Sequence, residues 1–491
     1  MLSTSPSFLF VFLPAVLTLY WLLPTVGSRN ALLLISGLAF YAWGQGAWIA
    51  LLVLCVISSY ALGLWLERGR GRPHRGWALA LAVAVVLAPL ALVKYAAFVV
   101  QTVNDIAGWS GRAALNVPSW PAPAGISFFT FMALTYLFSV TRGETGAQRR
   151  ILPIALYTSL FPVVLAGPII RYGAALPQLL LRRLELAAVA QGARRFVRGL
   201  AKKVLIADTL ATPSALIFGL PHYDLSQGVA WFGLACYTLQ IFVDFSAYSD
   251  MAIGIGGMLG FRVPENFDHP YAARSVRAFW ARWHITLSTW FRDYVFIRIL
   301  YPAGRAFERM GARPARSDFW AYAAASLVTM LLIGLWHGAA WTFVAWGAYH
   351  GALLVLERTR VGKWIARMPV PVQHAYLVLA VMGGWVLFRL DTLSRAAWFV
   401  AVLAGLTGGS GAPVGRYAGG DVLLAAAIGI LLSSGLAPAL GARAQARLRR
   451  SAAAAPMILV VGDAATQAAL LVLSLAWLSA GTFTPFIYFQ F

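Results

Sequence analysis

Apolar and polar positions separate along this chain into long blocks rather than alternating residue by residue. Apolar blocks cover approximately 8–23, 31–44, 47–66, 77–100, 125–140, 151–170, 204–219, 229–258, 319–356, 373–390, 396–407, 422–440 and 457–480. Roughly 20 apolar residues cross a hydrocarbon core, so the longer blocks read as transmembrane helices. The shorter ones read as re-entrant or interfacial pieces. The pattern predicts an all-α, polytopic membrane protein, organised as one membrane domain over 1–491 with about a dozen apolar segments. The first block, 8–23, lacks a basic leader, contains Pro14 and runs straight into further apolar sequence. It reads as a retained span rather than a cleaved signal.

The polar blocks are basic. They fall at 67–75, 141–150, 171–203, 261–316, 358–367 and 441–450, and 171–203 holds eight Lys and Arg residues against the single acid Glu185. Such an excess marks cytoplasmic loops, whereas 104–124, rich in Trp and Pro and poor in charge, reads as an outer loop.

Composition supports this picture. The 491 residues are 60% hydrophobic and 11% charged, against roughly a quarter charged in soluble domains. A net charge of +22 raises the question of nucleic acid, but the cations lie in loops between spans, so topology and contact with anionic lipid headgroups account for them and nucleic acid is not expected. Cys55 and Cys236 both lie in apolar stretches and read as small buried hydrophobes. No Cys or His spacing points to a metal.

Three stretches carry candidate chemistry. In 274–299 a helical period gathers Arg277, His284, Ser288 and Arg292 on one face and Trp283, Leu287, Trp290, Tyr294 and Ile297 opposite. The spacing predicts one amphipathic helix lying at an interface or lining a polar cavity. In 331–351, LLIGLWHGAAWTFVAWGAYHG, His337 sits in the middle of an apolar run with no charge from Phe319 to Val355. An ionisable group at membrane depth marks a site or pathway, and Gly334, Gly338, Ala339 and Ala340 leave room beside it. A desolvated, neutral imidazole suits general-base work on a hydroxyl. His350, 13 residues on, is turned away from that face and reads as a helix-end or structural histidine. In 242–261, Asp244 and Asp250 flank Tyr248 and Ser249. Buried carboxylates need partners, so these either orient a histidine or, as we expect, pair with Arg residues of the adjacent cytoplasmic segment. The glycines at 254, 256, 257 and 260 read as a packing surface, since no strand precedes them.

At these residues the sequence resembles the membrane-bound O-acyltransferase (MBOAT) family, and within it the bacterial alginate O-acetyltransferase branch. The likeness runs through AGPIIRY, YTLQIFVDFSAYSDMAIGIGGMLGF, PENFDHPYAARSVRAFWARWHITLSTWFRDYVFIRI, LWHGAAWTFVAWGAYHG and the terminal PFIYFQF. It implies a ring of transmembrane helices around a central tunnel, with re-entrant or interfacial helices on the cytoplasmic side. It also implies a motif-bearing core at about 125–390 and extra transmembrane helices at about 395–491. The family's two histidines map to His337 and His284. Asp244, Asp250, Ser288, Arg292 and Trp336 become candidates to line the tunnel or orient reactants, and Arg277 and Arg282 candidates to hold the phosphates of a donor. The resemblance further implies acetyl-CoA as donor with no resident cofactor, a bacterial inner-membrane location, an extracytoplasmic SGNH-hydrolase-like acetyltransferase partner and polysaccharide synthesis or export machinery. Transfer of D-alanine to a wall polymer is the alternative enzyme. A precursor transporter is the non-enzyme alternative, expected to show repeat symmetry that this sequence lacks.

Overall fold

The computed structural model describes residues 4–71, 75–436, 440–443, 446, 455–480 and 486. The basic block 441–450 and the terminal PFIYFQF therefore lie largely outside the described residues. Within them the chain is helical and carries no strand, as expected of a polytopic membrane protein. The helices are α1 (Leu13–Leu22), α2 (Val26–Gln45), α3 (Ile49–Arg68), α4 (Arg75–Gly108), α5 (Ile126–Arg142), α6 (Leu152–Ser159), α7 (Tyr172–Leu180), α8 (Leu186–Ala201), α9 (Asp208–Phe218) and α10 (Gln227–Met258). They continue as α11 (Val276–Trp280), α12 (Ile285–Phe291), α13 (Ile297–Arg309), α14 (Pro314–His337), α15 (Trp341–Leu356), α16 (Arg360–Ile365), α17 (Val370–Arg389), α18 (Leu393–Leu403), α19 (Gly420–Ser434) and α20 (Ala455–Ser479).

Six stretches among the described residues are long and apolar enough to cross a bilayer: Val26–Arg68, Gly76–Gly108, Gln227–Met258, Pro314–His337, Val370–Arg389 and Met457–Ser479. Five shorter apolar helices accompany them. The expectation of about a dozen segments thus divides into full-length helices and short ones. Side chains such as Trp77, Leu92 and Val460 project outward, as a lipid-facing surface requires.

The chain forms two compact units, Met1–Phe196 with Ser249–Pro264, and Val197–Tyr248 with Glu265–Phe491. In the first, α3 packs on α4 and α5, and α2 on α6. The apolar block 151–170 is not one span. Only α6 is helical, and residues 160–170 are irregular and buried. Irregular backbone is tolerated there because protein groups satisfy it, as where Tyr157 donates its hydroxyl to the Ile170 carbonyl at 2.6 Å. The glycine-rich end of α10 packs on α8: a Cβ at Gly254 would lie 2.6 Å from the Gly192 carbonyl oxygen. This is the helix-packing role expected of that run. In the second unit α14 packs on α13 and α15, and α15 on α17.

Two of the expected elements differ from what forms. A single helix over 319–356 would be about 57 Å long, well beyond a hydrocarbon core of about 30 Å. Instead α14 ends at His337, Gly338 is extended, and α15 returns as the second arm of a hairpin. His337 is therefore a helix-end residue rather than a mid-helix one. The amphipathic helix predicted over 274–299 is broken into α11, α12, a π-helical turn at Arg292–Phe296, and the start of α13. The break falls at His284, whose φ of 42° is left-handed. Non-glycine residues adopt that region rarely and at a cost, so their surroundings must hold them there.

Candidate active site

The small residues around His337 explain how the hairpin closes. A Cβ on Gly334 would run into the Phe343 carbonyl, and one on Gly347 into the Met330 carbonyl. The backbones of α14 and α15 therefore meet where side chains are absent, and Gly334 serves helix packing rather than a substrate niche. His337 is 5% exposed. Its ring stands 4.8 Å from Trp336, 5.2 Å from Trp346 and 5.0 Å from Phe388, centroid to centroid.

His284 is fully buried and follows Trp283 into the interior, leaving the polar face assigned to it by helical periodicity. Asn266 holds it. The Asn266 Oδ1 accepts from His284 Nδ1 at 3.0 Å, from the Thr286 amide at 3.2 Å and from the Thr286 hydroxyl at 2.8 Å. The Asn266 carbonyl takes the Ile285 amide as well, at 2.8 Å. These four bonds fix the left-handed turn and place the proton on Nδ1, so Nε2 carries the lone pair. Burial pushes the His284 pKa down to about 3, so the ring is neutral at the pH of growth. Trp336 lies between the two histidines, 5.8 Å from His284 and 4.8 Å from His337. The fold thus brings together residues 53 positions apart in sequence, on either side of one indole.

Two cavities adjoin this region, and they share Arg277, Tyr322 and Leu354. One, of about 300 Å³, is lined by Arg274, Arg277 and Arg358 together with Glu357 and Gln373. Glu357 does not neutralise this cluster freely, because its carboxylate already accepts the Val276 and Arg277 amides and the Tyr376 hydroxyl. The other, of about 350 Å³, is largely apolar and is bounded by Trp280, Ser288, Arg292 and one face of α14. That face runs Tyr322, Ser326, Thr329, Met330 and Ile333, and the same three-to-four spacing continues to His337. Trp280 Nε1, Ser326 Oγ and Thr329 Oγ1 are buried without a partner there. Polar atoms left unpaired in a wall of this kind fit a ligand that brings hydrogen-bonding groups of its own.

The remaining predicted residues divide. Arg277, Ser288 and Arg292 line these cavities. Arg282 lines neither, and its carbonyl accepts the Asp268 amide. Asp244 is bound to Lys203 at 2.8 Å, and Lys203 also holds Asp208 at 2.8 Å. Asp250 is bound to Arg195 at 2.9 Å. Both carboxylates are therefore engaged by cations, the pairing anticipated from sequence, although the partner of Asp244 is a lysine. Asn266, Trp346, Phe388 and the cavity residues Ser326 and Thr329 were not singled out. Only Asn266 had a signal, its place in the NFDHP stretch beside an apolar helix.

The sequence profile of the membrane-bound O-acyltransferase family matches residues 82–383, more than half of the chain. The chain belongs to that family. Among curated proteins it is 40% identical to the probable alginate O-acetylase AlgI of Azotobacter vinelandii over 400 residues, covering 81% of this chain and 77% of the relative. It is 30% identical to the peptidoglycan O-acetyltransferase of Helicobacter pylori, covering 83% of this chain and 80% of that one. It is also 30% identical to the teichoic acid D-alanyltransferase of Streptococcus thermophilus, over 59% of this chain and 66% of the other. The MBOAT chain described here is an acyltransferase and a multi-pass membrane protein.

Proposed function

We propose that this MBOAT protein takes an acetyl group from acetyl-CoA at the cytoplasmic face of a bacterial inner membrane and passes it outward for O-acetylation of an exopolysaccharide such as alginate or cellulose. The observation that carries the reading is the pair of neighbouring cavities that share Arg277, Tyr322 and Leu354, one lined by arginines and the other bounded by a face of α14 that ends at Ile333, one turn before His337. The arginines match the phosphates of coenzyme A, and the narrow apolar cavity with unpaired polar atoms matches its amide-bearing arm. Acetyl rather than D-alanyl transfer is favoured by the greater identity to the alginate O-acetylase, 40% against 30%.

In this reading His337 takes the proton from an acceptor hydroxyl as its oxygen attacks the thioester carbonyl. The C–S bond breaks, the acetyl ester forms, and the proton passes to the departing thiolate, leaving free coenzyme A. His284 orients the reactants or relays the proton through its Nε2. A thioester has a good leaving group already, so positioning and one base meet the chemical demand. The immediate acceptor is an extracytoplasmic SGNH-hydrolase-like acetyltransferase, which works with polysaccharide synthesis and export machinery. No resident cofactor enters the step.

Acetyl-CoA consumption by membranes containing the protein tests the donor. A requirement for a charged carrier protein instead of acetyl-CoA would move the assignment to D-alanyl transfer. The joint substitution of Arg277 and Arg358 by alanine is expected to raise KM for acetyl-CoA about tenfold or more, with a smaller effect at high salt and little change in kcat. Asn266→Ala is expected to lower kcat by about ten- to a hundredfold, because the buried Nδ1–H loses a bond worth about 1–3 kcal/mol and the imidazole loses its fixed tautomer. An unchanged kcat in that variant would remove His284 from the reaction.

A further inference from the structure

His350 was expected to be a structural residue, and its surroundings argue otherwise. It is 1% exposed, in the body of α15, and both ring nitrogens are buried without a hydrogen-bond partner. Its ring touches Trp280 at 5.3 Å and Trp346 at 4.8 Å, and those two indoles touch each other at 5.6 Å. The Nε1 atoms of Trp280 and Trp346 are also buried without a partner. Three rings in mutual contact thus carry four unpaired polar atoms.

A residue needed only to fill this space would be phenylalanine or leucine. Each unpaired buried polar atom costs about 1–3 kcal/mol, and native interiors keep few of them without a reason. The chemistry of the cluster supplies one. An indole can only donate, whereas a neutral imidazole both donates and accepts. His350 therefore holds the acceptor in this group, and both indoles that could donate to it are in contact with its ring. The two indoles do different jobs. Trp280 lines the apolar cavity, and Trp346 packs against the His337 ring at 5.2 Å.

We infer that His350 is a positioning residue that links the cavity wall to His337: when the donor fills the cavity, its one acceptor nitrogen takes the N–H of Trp280 or Trp346 and so sets where Trp346 holds the His337 ring. When the donor's arm presses on Trp280, the indole shifts onto or away from His350, and Trp346 follows. This rests on the reading that the donor occupies the cavity and that His337 serves transfer.

The test is kcat and KM for acetyl-CoA, measured as acetyl-CoA consumption by the full chain in proteoliposomes, for His350→Phe and His350→Asn. Phenylalanine fills the space but offers no acceptor, and kcat is expected to fall about tenfold or more while KM stays within about twofold. Asparagine, whose amide oxygen accepts, is expected to recover most of that loss. A space-filling role predicts the reverse order, with phenylalanine active and asparagine impaired, and that order would overturn the inference. If His350→Phe fails to accumulate, Gly384→Ala serves instead: its Cβ would stand 2.5 Å from His350 Nε2 and force the ring aside. The same loss of kcat at constant KM is expected, and wild-type kcat counts against the link. His337→Ala, run alongside, separates the two levels. An active His337→Ala variant defeats the underlying site reading, whereas an inactive one beside an unaffected His350→Phe defeats only the role of His350.

Discussion

His337→Ala is expected to abolish acetyl transfer while leaving the amount of protein in the membrane unchanged. General-base catalysis contributes roughly 10²–10⁴-fold, and the reaction proposed here gives that role to His337. The side chain stands among Trp336, Trp346 and Phe388, so its removal opens a small void at a helix terminus that large rings border. Gln in place of Ala keeps the volume and removes the basic ring nitrogen, which separates chemistry from packing. Radiolabelled acetyl-CoA supplied to membranes, with protein quantified in the same samples, reads both. Normal transfer by either variant would take His337 out of the mechanism.

The second large effect concerns folding. Lys203→Ala is expected to deplete folded protein, whatever the donor present. The lysine ammonium stands 2.8 Å from each of two carboxylates, on Asp208 and Asp244, and all three side chains are at most 5% exposed. Removing the cation leaves two like charges in a buried place, a change costing about 3–5 kcal/mol in domains whose stability is about 5–15 kcal/mol. The ammonium also sits over the Phe486 ring at 4.7 Å, so it helps hold the one described residue of the terminal motif. The yield of monodisperse protein after detergent extraction measures the loss. A triple variant, Lys203→Met with Asp208→Asn and Asp244→Asn, is expected to regain much of it because no charge is left unpaired. Wild-type yield from Lys203→Ala would show that the triad does not support the fold.

Much of the fold was legible because hydrophobic blocks of span length leave helices as the solution in lipid. His284 and His337 were legible through the motifs around them. What periodicity could not report was where helices stop. The 100° spacing that placed Arg277, His284, Ser288 and Arg292 on one face holds only for an unbroken helix, and the Asn266 bonds that break it come from a residue 18 positions upstream. The turn after His337 was hidden for the opposite reason: Gly338, Ala339 and Ala340 are as apolar as the helices they separate. His350 was set aside because its angle was measured against α14, whereas it belongs to α15, which runs back along it.

The buried irregular stretch 160–170 bears on how the protein is made. Basic residues bound it and α6 on both sides, at Arg149, Arg150 and Arg171. Its peptide groups have no partners in lipid and find them only among neighbouring chain segments. Those segments include ones made long before it, since Phe8, Phe12 and Phe40 pack on Phe161, so the stretch meets partners already in place as it leaves the ribosome.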